Sequence, residues 1–355
     1  MRRRVKCPDV VTVAQLAEFD EVIDARSEGE FAEDHVPGAL NCPVLDDAER
    51  ARVGTLYKQV SPFAAKRTGA ALVSRNIARW LESRFADKPR TWRPLVYCWR
   101  GGSRSGAFTH VLRQVGWPAA QLDGGYRAFR RAVIADLDAL PAHFRWHVIC
   151  GHTGTGKSRL LRALAARGAQ VLDLEGLAAH RGSVLGNLPD AAQPPQKLFE
   201  SRVWAVLQAL DRTRPVYVEA ESRKIGNLRV PERIIANMWA AECVRVQASL
   251  ATRVALLIDE YAHFIAHPDL LVAQLRCLTA LHGAGRIGEW EALARGGRWE
   301  ALVAALLESH YDPAYTRSTL SHYPRYGDAR VLQATGPEPS HFDALARECL
   351  AAAAP

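Results

Sequence analysis

No run in this chain approaches the roughly eighteen consecutive apolar residues that a membrane-spanning helix needs, so no such helix is expected. The opening Met1-Arg2-Arg3-Arg4 carries the charge of a signal-peptide n-region, but Val5-Lys6-Cys7-Pro8-Asp9 supplies no apolar segment behind it. A cytoplasmic protein without membrane association is therefore expected. Paired cysteines are also missing. The seven cysteines (7, 42, 98, 150, 243, 277 and 349) are an odd number, widely spaced, with no C-x-x-C. That spacing indicates neither a disulfide framework nor a zinc knuckle, and most of these residues are expected to be buried reduced thiols. His263 and His267 have H-x-x-x-H spacing but lack the glutamate of the zinc-protease motif and any signalled third ligand, so no metal site is assigned to them. His35, His152, His180 and His310 stand alone and are expected to satisfy local hydrogen bonds. No internal repeat is visible.

What is present is material for about two domains: 355 residues, 48% hydrophobic and 24% charged. The net charge of +8 fits an anionic partner, and a nucleic-acid-handling enzyme better than a purely metabolic one. The first part alternates strand and helix signals. Val22-Ile23-Asp24-Ala25-Arg26 and Pro94-Leu95-Val96-Tyr97 read as short buried strands, and Leu122-Asp123-Gly124-Gly125-Tyr126 as a late strand and turn. Residues 75–85 and 105–115 have helical apolar spacing. Such alternation implies an α/β fold with a small parallel sheet.

The strand ending at Tyr97 delivers Cys98-Trp99-Arg100-Gly101-Gly102-Ser103-Arg104-Ser105. A loop between a strand's carboxyl end and a helix start turns backbone N–H groups inward, and the helix dipole adds positive potential. That setting favours a thiolate at Cys98, and Arg100 and Arg104 would favour it further if they fold over the loop. A catalytic, anion-handling thiol is expected there.

Between residues 130 and 145 the organisation changes, with 132–140 a connecting helix ended by Pro141, so a boundary is placed near residue 140. After the strand Val148-Ile149-Cys150 comes Gly151-His152-Thr153-Gly154-Thr155-Gly156-Lys157-Ser158, which fits G-x-x-x-x-G-K-[ST], followed by helical spacing to Arg167. Its amides would surround phosphate oxygens, Lys157 would meet a terminal phosphate, and Ser158 would offer its hydroxyl to a magnesium ion. Gln170-Val171-Leu172-Asp173-Leu174 and Pro215-Val216-Tyr217-Val218-Glu219 read as strand-like runs whose ends carry carboxylates that could hold magnesium water. Glu219 and Glu221 share a face if the second strand continues; alternatively they cap a sheet edge or pair with Arg223 and Lys224. From Asp269 onward the chain reads as mainly helical.

Asp24-Ala25-Arg26, Glu30-Phe31, the stretch His35 to Asn41, the cysteine loop and Leu122 to Tyr126 together resemble the rhodanese family. In that family the loop cysteine carries transferable sulfur as a persulfide. One departure stands out: five residues separate Cys98 from Arg104, a ring more like that of the cysteine phosphatases. The stretches Asp173 to Ser183, Gln193 to Glu200, Glu219 to Gly226 and His310-Tyr311-Asp312, with the Cys-Trp-Arg-Gly-Gly form of the loop, resemble the bacterial tRNA 2-selenouridine synthase family. That resemblance implies residues 1–140 as a rhodanese-like domain and 141–355 as a P-loop NTPase-like domain with a helical C-terminal part. It further implies a transferase that replaces the sulfur of wobble 2-thiouridine in tRNA with selenium from selenophosphate, after S-geranylation by geranyl diphosphate. On that basis Cys98 takes selenium as a perselenide or positions its donor, Arg100 and Arg104 bind the donor's phosphate, and Gly151, Thr153, Gly154, Thr155, Gly156, Lys157 and Ser158 hold the diphosphate. Asp173, Glu219 and Glu221 are the candidate acids or magnesium-water ligands, and no cofactor is expected to be tightly bound. Candidate tRNA contacts are Arg2 to Arg4, Lys66, Arg67, Arg75, Arg127, Arg130, Arg131, Arg181, Arg223 and Lys224. The residues taken alone also admit a P-loop kinase or ATPase with a rhodanese module, a cysteine phosphatase, or a noncatalytic RNA-binding protein.

Overall fold

The computed structural model describes residues 9–352, so Arg2 to Arg4 and Cys7 lie outside the described residues. Contacts divide the chain into two compact units, residues 1–136 with 195–205, and residues 137–194 with 206–355.

The first unit is built on a five-stranded parallel sheet. Its strands are β1 (Val10–Val11), β2 (Glu21–Asp24), β3 (Leu40–Asn41), β4 (Pro94–Tyr97) and β5 (Ala120–Leu122), ordered β1-β5-β4-β2-β3. All four residues of β4 are buried, as a strand covered on both faces must be, which accounts for its uninterrupted apolar run. Ile23, Val96, Phe108, Leu112, Phe85 and Trp92 share one core with Cys98, so the cysteine loop starts from packed side chains. Helix Ser103–Val115 contains the 105–115 segment, and helix Pro62–Ser83 covers the 75–85 segment except its last two residues, Arg84 being the C-cap. The connecting helix begins earlier than its apolar pattern suggests, at Gly125, and ends at Ala139, where Leu140–His143 tightens into a 3-10 turn containing Pro141.

Residues 195–205 belong to this unit although they come late in sequence. Trp204 donates its indole N–H to Asp136 at 2.8 Å and packs edge-on against Phe129, while Glu200 pairs with Arg130. These contacts fix the front of helix Gln196–Ala209 against helix Gly125–Ala139.

The second unit has a five-stranded parallel sheet of β6 (Arg145–Cys150), β7 (Gln170–Leu172), β8 (Pro215–Glu219), β11 (Glu242–Ala248) and β12 (Arg330–Ala334), in the order β12-β11-β6-β8-β7. β9 (Lys224–Ile225) and β10 (Leu228–Arg229) form a separate antiparallel hairpin. Leu160, Leu164, Phe342 and Ala346 pack helices Lys157–Ala166 and Pro339–Ala352 onto this sheet. β12 interrupts the mainly helical reading of the C-terminal part. It pairs with β11 over five residues, from Val244 with Arg330 to Ala248 with Ala334, a tertiary pairing that local periodicity does not reveal. The helices between residues 262 and 306 form their own core around Phe264, Leu275, Trp290, Leu302 and Leu306. Among the described residues, no helix is long and apolar enough to cross a membrane.

Candidate functional site

Each unit carries one candidate site at the carboxyl end of a strand, where open parallel sheets leave a crevice. In the first unit Cys98 follows β4, and its thiol is buried, 3% exposed. The Ser105 hydroxyl donates to Sγ at 3.0 Å, and Gln121 in turn donates to Ser105 at 2.9 Å and to the carbonyl of Gly101 at 2.6 Å. Tyr126 and Arg127 donate their backbone N–H groups to the carbonyls of Cys98 and Trp99, at 2.8 and 3.1 Å. That close approach requires Gly125: at φ +54°, a Cβ there would stand 2.2 Å from the Cys98 carbonyl oxygen.

Beneath the loop lies a buried polar scaffold made by the Asp24-Ala25-Arg26 motif. Arg26 grips Asp24 with Nε at 3.0 Å and Nη2 at 2.6 Å, and Tyr97 donates to the same carboxylate at 2.6 Å. The Arg26 guanidinium also lies 4.1 Å from the Tyr126 ring centre, and Trp99 stacks on Tyr126 at 5.2 Å. Trp99 is thereby presented with 40% of its surface exposed, directly after the thiol.

The two loop arginines part company. Arg100 is exposed, whereas Arg104 donates to Glu30 at 2.8 Å rather than folding over Cys98. Burial raises the Glu30 pKa, but Arg104, with its hydrogen bond and charge, outweighs that and leaves it below the usual carboxylate range. Arg104 therefore meets an anion only by leaving or sharing Glu30.

In the second unit β6 runs into the P-loop and helix Lys157–Ala166. Lys157 lies 3.4 Å from Glu219 at the end of β8, and Ser158 donates to the other oxygen of that carboxylate at 2.8 Å. Burial lowers the Lys157 pKa, yet the charges of Glu219 and its neighbours raise it further, so the ammonium stays protonated. Gly156 has φ +83°, and a Cβ there would overlap the Phe342 ring at 2.4 Å. Arg253 anchors the loop from behind, donating to the Thr153 carbonyl at 2.8 Å and gripping Asp312 through both terminal nitrogens. Tyr315 accepts the Gly151 N–H at 2.6 Å.

Glu175, Glu219 and Glu221 place one carboxylate oxygen each within 4.8 Å of one another. Burial first, then the charge of Glu219, pushes Glu221 up to about 8, and the same two causes raise Glu175 well above the usual range. Hard oxygen donors under such electrostatic stress fit a divalent cation. Sequence reading singled out Glu219 and Glu221 but took Asp173 in place of Glu175. Asp173 instead accepts the Gly176 N–H at 2.8 Å as the cap of helix Leu174–Ala178, leaving Glu175 as the third member. The pairing of Glu219 and Glu221 with Arg223 and Lys224 does not occur for Glu219, and Arg223 lies over the Trp239 ring. Tyr323, which accepts the Glu221 N–H at 3.1 Å and donates to its carbonyl at 3.0 Å, Arg253 and Tyr315 belong to no sequence motif and were not anticipated. His310 is not isolated; it contacts His282 at 3.0 Å.

Among the candidate tRNA contacts, Lys66, Arg67, Arg75, Arg127, Arg131 and Lys224 are exposed. Arg130 is engaged by Glu200, and Arg181 donates to the Glu260 carbonyl at 2.7 Å.

Comparison with known proteins adds the family. A rhodanese-like domain model matches residues 10–132, and a model described as the tRNA 2-selenouridine synthase AAA domain matches residues 144–270. A tRNA 2-selenouridine synthase from Cupriavidus necator is 35% identical over 83% of this chain and 87% of its own length. One from Marinobacter nauticus is 37% identical, with the same two shares. One from Nitrosomonas europaea is 37% identical over 68% of this chain and 63% of its own length.

Proposed function

Since the chain belongs to the tRNA 2-selenouridine synthase family, we propose that it replaces the sulfur of wobble 2-thiouridine in tRNA with selenium from selenophosphate, by way of an S-geranylated intermediate made from geranyl diphosphate. The observation that carries this reading is the P-loop cavity, about 1300 Å³ with its mouth, where Lys157 and Ser158 meet tyrosines and carboxylates. A diphosphate on the loop amides would face Lys157 as negative charge builds on it. The uridine sulfur bonds to the allylic carbon as the carbon–oxygen bond breaks, the electron pair leaves with the diphosphate and the N3 proton of the base passes to solvent; Lys157 stabilises the departing charge. A magnesium ion held by Glu175, Glu219 and Glu221 would supply further neutralisation for the leaving group.

The cysteine loop is assigned the selenium donor. Selenium in selenophosphate is already fully reduced, so moving it onto a thiol as a perselenide would need an oxidant. Holding the donor beside the Cys98 thiol needs none: exposed Arg100 supplies charge for its phosphate, and Arg104 adds to it by leaving or sharing Glu30. Selenium then attacks C2 of the uridine, the geranylated sulfur leaves as a thiolate with the bonding pair, and water breaks the selenium–phosphorus bond, releasing phosphate while the base regains its N3 proton. Trp99, exposed beside the thiol and stacked on Tyr126, offers a ring for the unstacked base.

Mass spectrometry of tRNA nucleosides tests both assignments. 2-Thiouridine tRNA is incubated with geranyl diphosphate and selenophosphate and the wild type, Cys98→Ala or Lys157→Ala. The wild type should yield 2-selenouridine, Cys98→Ala should stop at the geranylated nucleoside, and Lys157→Ala should leave 2-thiouridine unchanged. Untouched nucleoside with the wild type, together with ATP consumption, would replace this reading with that of a P-loop kinase.

A further inference from the structure

The P-loop cavity has an apolar neighbour. A cleft of about 600 Å³, mouth included, is lined almost wholly by aliphatic and aromatic side chains. Thr153, Ser183, Leu257, Tyr261 and Tyr311 line both spaces, so the two are contiguous. The walls of the cleft come from helix Leu250–Glu260, through Leu257 and Ile258, and from helix Trp299–Leu306, through Leu302 and Val303. Among the described residues, no charged side chain lines it.

Two features distinguish this cleft from ordinary core. Its wall is only partly closed: Ile265 at its rim is 37% exposed, and Leu257, Ile258, Trp299 and Val303 are half-buried. Apolar surface left in this condition costs free energy unless something covers it. The second feature is the junction with the phosphate cavity, where the polar groups are neutral hydroxyls. The Ser183 and Tyr261 hydroxyls lie 3.5 Å apart, and burial pushes the Tyr311 hydroxyl up to about 12, so it stays uncharged. Charge on one side and hydrocarbon on the other, with a neutral aromatic seam between them, match an amphiphile with an anionic head and an apolar tail.

We propose that this cleft receives the isoprenoid tail of the allylic diphosphate whose head lies on the P-loop. The proposal rests on the diphosphate reading of the P-loop given above. Tyr261 and Tyr311 then flank the carbon joined to the head. Their ring faces stabilise positive charge there while the carbon–oxygen bond to diphosphate breaks and the bond to sulfur forms. Burial of the tail also removes water from that carbon, which protects the allylic group from hydrolysis.

Calorimetric titration of the full chain separates head from tail. The ligands are inorganic diphosphate, dimethylallyl diphosphate and geranyl diphosphate. Geranyl diphosphate should bind the wild type at least about tenfold more tightly than inorganic diphosphate, with dimethylallyl diphosphate between them. Ile265→Glu, at the partly exposed rim, and Val303→Trp, which fills the cleft, should bring that ratio near one while inorganic diphosphate binds within about twofold of wild type. Retained diphosphate binding also shows that these variants fold. Lys157→Ala should weaken all three ligands. Equal wild-type affinity for geranyl and inorganic diphosphate, or an unchanged ratio in both cleft variants, overturns the proposal while leaving the P-loop assignment standing. If Lys157→Ala alters no affinity, the P-loop assignment fails, and a tail preference abolished by the cleft variants would still support the cleft.

Discussion

The two candidate cradles are organised in opposite ways. Around Cys98 the charges are already matched: Arg26 is closed by Asp24, Arg104 by Glu30, and the thiol takes a neutral hydroxyl donor. Around Lys157 they are not, because three carboxylates crowd one ammonium and two of them are held well above their usual pKa. The first cradle is organised by sterics and hydrogen bonds and should be indifferent to pH and cations. The second stores electrostatic stress that a cation or a proton relieves.

The sharpest way to break the first cradle is steric. Gly125→Ala places a methyl 2.2 Å from the Cys98 carbonyl, at a φ that costs an alanine about 1–2 kcal/mol before any overlap is counted. We expect a total loss above about 4 kcal/mol, among the largest single-residue effects, read as a lowered urea midpoint. Gly54→Ala, in helix Asp47–Gln59 with open space around it, is the control and should be neutral or slightly stabilising.

The second cradle breaks next most severely through its rear anchor. Asp312→Asn removes the charge partner of Arg253, which is 7% exposed and fixes the Thr153 carbonyl. Because Asp312 keeps some solvent contact, the cost should be about 2–3 kcal/mol, below the 3–5 kcal/mol of a fully buried pair. Inorganic diphosphate affinity should fall in parallel, since the loop loses its brace. A loss of stability with unchanged diphosphate binding would show that Arg253 packs the helices without positioning the loop.

The same contrast decides what was legible in the sequence. Both cradles lie on short contiguous motifs whose glycines and strand–loop–helix context fix local geometry, and there the expected strands, helices and loops appear at Pro94–Tyr97, Ser103–Val115, Arg145–Cys150 and Lys157–Ala166. What surrounds them is assembled from far along the chain. Glu175 enters the acidic trio because Asp173 is consumed as a helix cap, a choice made by a single backbone N–H. Arg253, Asp312, Tyr315 and Tyr323 reach the P-loop region from more than 90 residues away, where no period or spacing marks them. β12 is visible only through its partner β11, and residues 195–205 join the first unit through Trp204 and Glu200.

The smallest effect, and the one that tests the comparison most directly, is the response to pH. Glu221 has its pKa raised from 4.5 to about 8 on folding, so the unfolded chain releases this proton first as pH rises. Its favourable contribution is complete below about 4.5 and is lost progressively as pH rises through 8. Wild type should therefore lose stability from this group between pH 5 and 9. Glu221→Gln cannot titrate, so its melting temperature relative to wild type should climb over that interval. Magnesium should flatten the wild-type curve, because a cation replaces the proton, and its affinity should increase with pH in wild type more steeply than in Glu221→Gln. Parallel pH curves for the two proteins would mean that the carboxylates are already relieved without proton or metal. The second cradle would then be as self-contained as the first, and the contrast between them would reduce to geometry.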